Sequence, residues 1–462
     1  MRPAALPAPE VPFVATGAYP TRPGNAVRPW IDGEPAFRRV CERIEAARHA
    51  VWATVTFLWP SFRMPDGRGS ALDVLERAAR RGVDVRVVFW RPDDETAALR
   101  PNAFWGAPAH QALLARQYPH VNVRWDRAHP GYCQHQKTWL VDPAGDAGAA
   151  FVGGLNLNPH TCVRPGHAGD GPAGAGHYHD LYVEIAGPAV ADVQHNFVQR
   201  WNEASERRAP DGRHGPASGD ALGFPARMPP PRGGVDVQIQ RTTHAGRYTD
   251  GHPPPGGAPF PIARGERTIR DQYRAALYAA RRTIYLEHQH LDMPEVVDAL
   301  DAALARGVRV VALVPAATPP AACARLARHA GFTLCGIAGH GAGGRRTPVH
   351  VHAKLMIVDD AWASVGSANG HRWSLEGNGE LNAAFRDPTA VRALRTALFA
   401  EHLGTDTAAL DDVAALTRFR QVARDNRRRH AAGDAAWQGL ALDLAPDEAN
   451  PAAGAVLFTL DP

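Results

Sequence analysis

The chain has 462 residues, 45% of them hydrophobic and 21% charged, which is enough apolar material for two separate cores. A net charge of +4 at pH 7 permits an anionic substrate but does not demand nucleic acid. The five cysteines are scattered and form no Cys-x-x-Cys pair, so neither a disulfide framework nor a cysteine zinc site is predicted.

The first part of the chain has the composition of an irregular segment followed by an α/β domain. Residues 1–28 are rich in proline and lack a signal-peptide pattern. A first domain is predicted over 29–205, with a helix over 72–81 and a buried strand over 83–89. An amphipathic helix is predicted around 191–204, at the end of this domain.

The second part of the chain repeats this pattern. Residues 206–262 are dense in proline and glycine and are predicted to be a connecting segment, with one strand at 235–243. A second domain is predicted over 263–403, and residues 404–462 are predicted to form a peripheral helix and a C-terminal tail. The spacing between matching segments shrinks steadily along the chain, which is typical of a duplicated domain that has gained and lost short insertions.

These repeats predict two pseudo-symmetric α/β/α domains, each with a central mixed β-sheet flanked by helices, and a single active site between them. We expect a monomer that acts as an internal pseudo-dimer. No apolar run reaches the length of a membrane span, so we expect a cytoplasmic protein without a transmembrane segment. A peripheral membrane location or secretion without a signal peptide stays open.

One motif, His-x-Lys-x-x-x-x-Asp, occurs once in each predicted domain, as HQKTWLVD at 135–142 and HAKLMIVD at 352–359. Residues i and i+2 of a strand share one face. The motif histidine and lysine of each copy should therefore point the same way; they are His135, Lys137, His352 and Lys354. Two such copies predict one catalytic site that is built from two halves.

The two motif aspartates, Asp142 and Asp359, have the opposite parity in the strand. They belong to the motif and are candidate catalytic residues with it. Their parity nevertheless favours a structural role, and we expect them to hold the backbone near the site.

A phosphodiester is the chemistry that these residue types suit. Two lysines and two amides from the turns GGLN and GSAN can neutralise and orient one phosphate; the candidate phosphate-binding or supporting residues are Gly154, Asn156, Ser367 and Asn369. One imidazole can attack phosphorus and form a phosphohistidine, while the other protonates the leaving oxygen. Asp180 and Glu380 are the acids available downstream. No metal or cofactor is needed for this chemistry.

The chain resembles the phospholipase D superfamily over about residues 25–400. The segments that carry the resemblance are the two motifs, HYHDLYVEIAGPAVADVQHNFVQRWNEAS at 177–205 and HVHAKLMIVDDAWASVGSANGHRWSLEGNGELN at 350–382. The resemblance implies that His135 is the nucleophile and His352 the general acid and base. It also implies that Asp180 and Glu380 orient the histidines. The first turn departs from the family pattern at Gly154, where serine or threonine is common.

Three functions remain compatible with the sequence. Hydrolysis of a glycerophospholipid to phosphatidic acid, with transphosphatidylation as a side reaction, ranks first, with a phospholipid at a membrane or micelle surface as the substrate. Phosphatidyl transfer of the cardiolipin-synthase type ranks second, and cleavage of nucleic acid or another diester third, since no basic stripe with stacking aromatic residues stands out. His177 and His179 have the spacing of a metal-ligand pair, but such loop pairs are more often unliganded.

Overall fold

The fold is described from a computed structural model. It describes residues 10–174, 176–207, 221–315 and 325–444. Parts of the predicted N-terminal segment, connecting segment and tail lie outside the described residues, at 1–9, 208–220 and 445–462.

The first half is a mixed sheet with its helices. Its strands are β1 (Arg22–Ile31), β2 (Ala50–Val55), β3 (Asp84–Trp90), β4 (Asn122–Asp126), β5 (Lys137–Val141), β6 (Ala149–Gly153), β7 (His177–His179), β8 (Leu181–Ala186) and β9 (Glu206–Arg207). Its helices are α1 (Gly33–Ala46), α2 (Ala71–Arg80), α3 (Pro108–Gln117) and α4 (Val190–Asn202).

The second half has the same kinds of element. Its strands are β10 (Val235–Thr243), β11 (Glu266–Arg267), β12 (Thr283–His288), β13 (Arg309–Leu313), β14 (Phe332–His340), β15 (Arg346–Val351), β16 (Lys354–Val358), β17 (Trp362–Gly366), β18 (Glu380–Arg386) and β19 (Ala441–Asp443). Its helices are α5 (Thr268–Ala279), α6 (Pro294–Ala305), α7 (Arg372–Glu376), α8 (Pro388–Leu403) and α9 (Asp412–Ala431).

The two sheets have matching strand orders. The first runs β4-β3-β2-β5-β6-β8-β1, with β2, β3 and β4 parallel and the other neighbours antiparallel. The second runs β14-β13-β12-β16-β17-β18-β10 with the same directions. Each half is therefore a mixed sheet flanked by helices, and the predicted fold class is confirmed.

The signals that start and stop the repeated helices are visible in the sequence. Ser70 and Asp73 form a capping box at the start of α2. The equivalent helices α2 and α6 are followed by Gly82 and Gly307, each with a φ of 88°. This left-handed backbone conformation favours glycine, so the chain leaves both helices in the same way and enters β3 and β13.

Three apolar clusters show how the halves pack. One lies between α1, α2 and the first sheet, and a second between α5, α6 and the second sheet. The third contains residues of both sheets, such as Leu140 and Leu355, together with residues of α4, α8 and α9. The halves thus share one core, and their motif strands β5 and β16 are buried along their whole length.

Four elements differ from the boundaries drawn on the sequence. Strand β1 begins at Arg22, inside the segment expected to be irregular, because its first residues pair with β10. Strand β10 lies inside the expected connecting segment and is the edge partner of β18, as β1 is of β8. Helix α9 and strand β19 lie inside the expected tail and join the shared core and β14.

Within the described residues, no helix combines the length and the apolar character that crossing a membrane requires.

Candidate active site

The two motif histidines lie where the halves meet. His135 and His352 precede the first residues of β5 and β16 by two positions and are 8% and 5% exposed. Each backbone N–H is held by the other half: His135 donates to the carbonyl of Gly379 at 2.7 Å, and His352 donates to that of His179 at 2.8 Å. The interface between the halves therefore fixes the position of both imidazoles.

The carboxylates that face the histidines also come from the opposite half. Nδ1 of His135 lies 3.0 Å from Oε2 of Glu380, and Nδ1 of His352 lies 2.6 Å from Oδ2 of Asp180. A carboxylate at Nδ1 fixes the tautomer and orientation of the ring and leaves Nε2 for chemistry. The structure thus brings all four predicted residues into two crossed pairs.

The two carboxylates have unequal surroundings. Glu380 accepts hydrogen bonds from the hydroxyls of Ser367 and Ser374, at 2.5 and 2.6 Å. Asp180 accepts one from the backbone N–H of Leu181, at 2.8 Å. Gly154 lies beside Asp180. A Cβ atom at position 154 would lie 2.5 Å from Oδ1 of Asp180, so a serine would not fit at this position.

These surroundings move the two acids in opposite directions. Burial alone would raise the pKa of Glu380, but its hydrogen bonds with His135 and Ser367 and the charge of Lys137 outweigh it, and the net pKa is lowered. Burial raises the pKa of Asp180 to about 7, against the opposing charge of Lys354. The pair of His352 can therefore hold a proton that the pair of His135 does not.

The motif lysines have equivalent contacts in the two halves. Nζ of Lys137 donates to the carbonyl of its own motif histidine at 2.7 Å and to Oγ1 of Thr56 at 3.3 Å. Nζ of Lys354 likewise donates to the carbonyl of His352 and, at 3.3 Å, to Oε1 of Gln289. Burial lowers the pKa of Lys137 to about 8 and that of Lys354 to about 7.

One of the two predicted amides lies beside a motif histidine, and both are buried. Nδ2 of Asn156 lies 3.5 Å from Nε2 of His352. The Oδ1 atoms of Asn156 and Asn369 are buried without a hydrogen-bond partner in the structure. Two lysine ammonium groups and two amides in a buried centre are what an anionic phosphate requires.

The motif aspartates lie at the far ends of the motif strands. The carboxylate of Asp142 accepts hydrogen bonds from the backbone N–H groups of residues 48–50, at 2.7 to 2.9 Å. That of Asp359 does the same for residues 281–283, at 2.8 to 2.9 Å. Each aspartate therefore ties the end of a motif strand to the start of the neighbouring strand, and neither is seen to contact a motif histidine.

Sequence reasoning missed several supporting residues. Thr56, Ser374 and Asn378 contact Lys137 or Glu380, at 2.6 to 3.3 Å. The only signal for them was their closeness in sequence to a motif or a repeated strand. The segment SLEGNGE ends at Glu380. Its polar residues could have indicated that this carboxylate is buried and has several hydrogen-bond donors.

Sequence comparisons find relatives of one kind. A family model described as cardiolipin synthase, PLD-like domain, matches residues 273–402. A cardiolipin synthase of Listeria monocytogenes serotype 4b (strain CLIP80459) is 24% identical over 406 residues, covering 85% of this chain and 71% of the relative. The major cardiolipin synthase of Bacillus subtilis (strain 168) is 27% identical over 383 residues, covering 80% and 67%.

A solved structure, phosphatidylserine synthase of Haemophilus influenzae Rd KW20, superposes with a TM-score of 0.48 at 14% identity. The superposition covers 79% of this chain and 83% of the phosphatidylserine synthase chain.

The two matching halves bring two crossed histidine–carboxylate pairs into one buried site. The chain is similar to proteins of the phospholipase D superfamily. It is a phospholipase D-like enzyme of the phosphodiesterase or phosphatidyltransferase type, and its relatives favour phosphatidyl transfer over the hydrolysis that the sequence favoured.

Proposed function

We propose that this enzyme transfers a phosphatidyl group from one phospholipid to the hydroxyl of a second lipid, as the name cardiolipin synthase of its relatives implies. The observation that carries the proposal is the pair of buried imidazoles, each facing a carboxylate from the other half. The substrate is a membrane phospholipid, so the enzyme acts at a membrane surface. Nucleic acid is not an obligate partner.

The reaction proceeds in two displacements at one phosphorus. Nε2 of His135 attacks phosphorus, the P–O bond to the leaving alcohol breaks, and His352 gives its Nε2 proton to that oxygen. The phosphatidyl group is now on His135. His352 then takes the proton of the incoming hydroxyl, whose oxygen attacks phosphorus and breaks the P–N bond. Lys137 and Lys354 neutralise the phosphate in both steps.

The unequal carboxylates support this division of labour. A nucleophilic imidazole must be neutral and needs an ionised acceptor at Nδ1, which the lowered pKa of Glu380 provides for His135. Burial lowers the pKa of His135 itself to about 4, so its ring is neutral near pH 7. His352 must deliver a proton in the first step. Burial lowers the pKa of His352 itself, so the additional proton of this pair is held by Asp180, whose pKa burial raises to about 7, and passes to the imidazole as the Nε2 proton leaves.

Burial supports an alcohol as the acceptor in place of water. Both histidines and both lysines are at most 8% exposed, so a phosphohistidine here is shielded from bulk water. A largely apolar cavity of about 370 Å³ is lined among others by Leu58 and Trp59, and it is a candidate site for hydrocarbon of the lipid. Leu58 forms an isolated β-bridge with Leu157, which follows Asn156 in the sequence.

The products formed from vesicles test this function. Purified enzyme is incubated with phosphatidylglycerol vesicles, and cardiolipin and phosphatidic acid are quantified. Transfer should dominate, because the acceptor hydroxyl is presented by a second lipid while water is excluded. The His135→Asn variant should form neither product, which controls for contaminating lipases.

Two outcomes would contradict the proposal. Phosphatidic acid as the main product at all vesicle concentrations would make the enzyme a hydrolase. Cleavage of single- or double-stranded DNA, without lipid turnover, would assign it to the nuclease branch with the same residues at the same site.

A further inference from the structure

A second cluster of ionisable groups lies behind the catalytic pair of His352 and Asp180. Its members, which we call the interface cluster, are Asp32, His167, His179 and Glu401, and one ligand atom of each lies within 4.8 Å of the others. Asp32 follows β1 and His167 lies in the loop before β7. His179 is the last residue of β7, and Glu401 lies on α8. The cluster therefore joins the first half to the second.

The interface cluster is shielded from solvent. The side chains of Asp32, His167 and His179 are 0% exposed, and that of Glu401 is 6% exposed. Burying ionisable groups is costly unless they are paired or coordinate a metal. In the structure each imidazole of the cluster lies 2.9 to 3.4 Å from a carboxylate of the cluster.

Several donor atoms of the cluster lack a hydrogen-bond partner in the structure. They are Oδ2 of Asp32, both ring nitrogens of His167 and Oε2 of Glu401. Nε2 of His167 lies 3.4 Å from Oδ1 of Asp32 and 3.3 Å from Oε1 of Glu401, so it forms a long ion pair with each. It therefore lies at nearly equal distances from the two carboxylates.

These separations match those of donors that share a small metal ion. Nitrogen and oxygen ligands about 2.0 to 2.1 Å from a tetrahedral Zn²⁺ lie about 3.3 to 3.4 Å from one another. Nδ1 of His179, the fourth donor, lies 2.9 Å from Oδ1 of Asp32, so a small shift would admit an ion. Two imidazoles and two carboxylates also cancel the charge of a divalent cation.

We propose that the interface cluster binds a structural divalent transition-metal ion of the zinc type. The ligands are Nδ1 of His179, Nε2 of His167 and one carboxylate oxygen each from Asp32 and Glu401. This site is separate from the motif lysines, and the phosphodiester chemistry does not pass through it. The inference does not rest on the proposed function.

A supporting shell is present on the far side of His179. Its Nε2 lies 3.0 Å from Oε2 of Glu287, and the hydroxyl of Tyr285 donates to Oε1 of that carboxylate at 2.7 Å. Metal-bound histidines commonly donate their second N–H to a carboxylate, which fixes the ring tautomer. The backbone of Asp32 also donates to the carbonyl of Asp180 at 2.8 Å, so a bound ion would stiffen the support of His352.

Metal analysis of the full-length protein tests the site. The protein is treated with chelator, loaded with Zn²⁺, Mn²⁺ or Co²⁺, desalted and measured by plasma mass spectrometry and calorimetry. We expect about one equivalent of zinc per chain and a rise in Tm of several degrees. Cobalt should give the visible absorption of a tetrahedral complex.

Matched variants locate the ion. His167→Gln and Asp32→Asn should lose the metal and the metal-dependent rise in Tm. His195→Gln replaces another buried histidine of the first half, outside the cluster, and should keep both. Retention of metal by the cluster variants would overturn the proposal. So would wild-type protein that takes up none of the three ions, because the cluster would then be a network of imidazole–carboxylate pairs only. The wild-type result decides even if a variant fails to fold.

Discussion

At the scale of single residues, the active site depends on lysines that are buried and yet must carry charge. Lys137 and Lys354 have Nζ contacts to neutral oxygens of their own half, and their pKa values are lowered to about 8 and about 7 by burial. A lysine neutralises phosphate only when protonated. The charged fraction therefore falls as the pH rises through these values, which gives the free enzyme an alkaline limit near neutrality.

We predict that kcat/KM for phosphatidyl transfer falls as the pH rises through about 7 to 8, where the lysine pKa values lie. This ratio reports the ionisations of the free enzyme, so it should be measured over a range from about pH 5 to about pH 10. In Lys354→Arg, whose guanidinium stays charged, the part of this fall due to Lys354 should disappear, while the parts due to Lys137 and to the His352–Asp180 pair remain. A kcat/KM that stays constant or rises between about pH 7 and about pH 8 would contradict this role of the lysines.

At the scale of elements, repeated strands could be predicted from the sequence, while contacts between the repeats could not. Apolar periodicity and a glycine at the helix end predict the helix before Gly82 and the strand after it. The same signals predict the equivalent helix and strand at Gly307. Strand β10 was recognisable as a strand, but its place as the partner of β18 depends on pairing with residues far along the chain. Periodicity carries no information about such a partner.

The same limit applies to the site. The motif spacing indicated which residues take part, and the family resemblance indicated that two acids orient the histidines. Neither could pair His135 with Glu380, 245 residues away, or His352 with Asp180, 172 residues away. The interface cluster was harder to predict from the sequence. Of its proposed ligands, only His179 lay in a sequence pattern typical of metal ligands, and that pattern paired it with His177.

The ends of the motif strands supply a prediction at this scale. Asp359→Ala removes the acceptor of three backbone N–H groups, so the free energy of unfolding should fall by about 1–3 kcal/mol. Asp359→Asn keeps one acceptor oxygen and should lose less. Urea unfolding and kcat of the folded enzyme are measured for both.

We expect kcat of the folded Asp359 variants to change far less than that of His352→Ala, since the carboxylate contacts only backbone at the far end of the strand. Unchanged stability together with a lost kcat would contradict the structural role and favour a direct catalytic one. The equivalent variants of Asp142 should behave in the same way in the first half.

At the scale of the whole molecule, the catalytic centre exists only when the two halves are packed together. Each imidazole is positioned by a carbonyl and a carboxylate from the opposite half, and both halves contribute to the shared core. One chain carries both crossed pairs, so it does not need a second copy to complete them. We propose that the unequal acids give the two related halves different tasks.

From the difference between the surroundings of Glu380 and Asp180, we infer that His135 is the residue that carries the phosphatidyl group. The most direct test is to react the enzyme with phospholipid labelled in its phosphate, quench rapidly, digest under mildly alkaline conditions and map the label by mass spectrometry. The account predicts phosphohistidine at position 135, accumulation of it in His352→Ala with a substrate that has a good leaving group, and none in His135→Ala. Label on His352, or full turnover by His135→Ala, would contradict it.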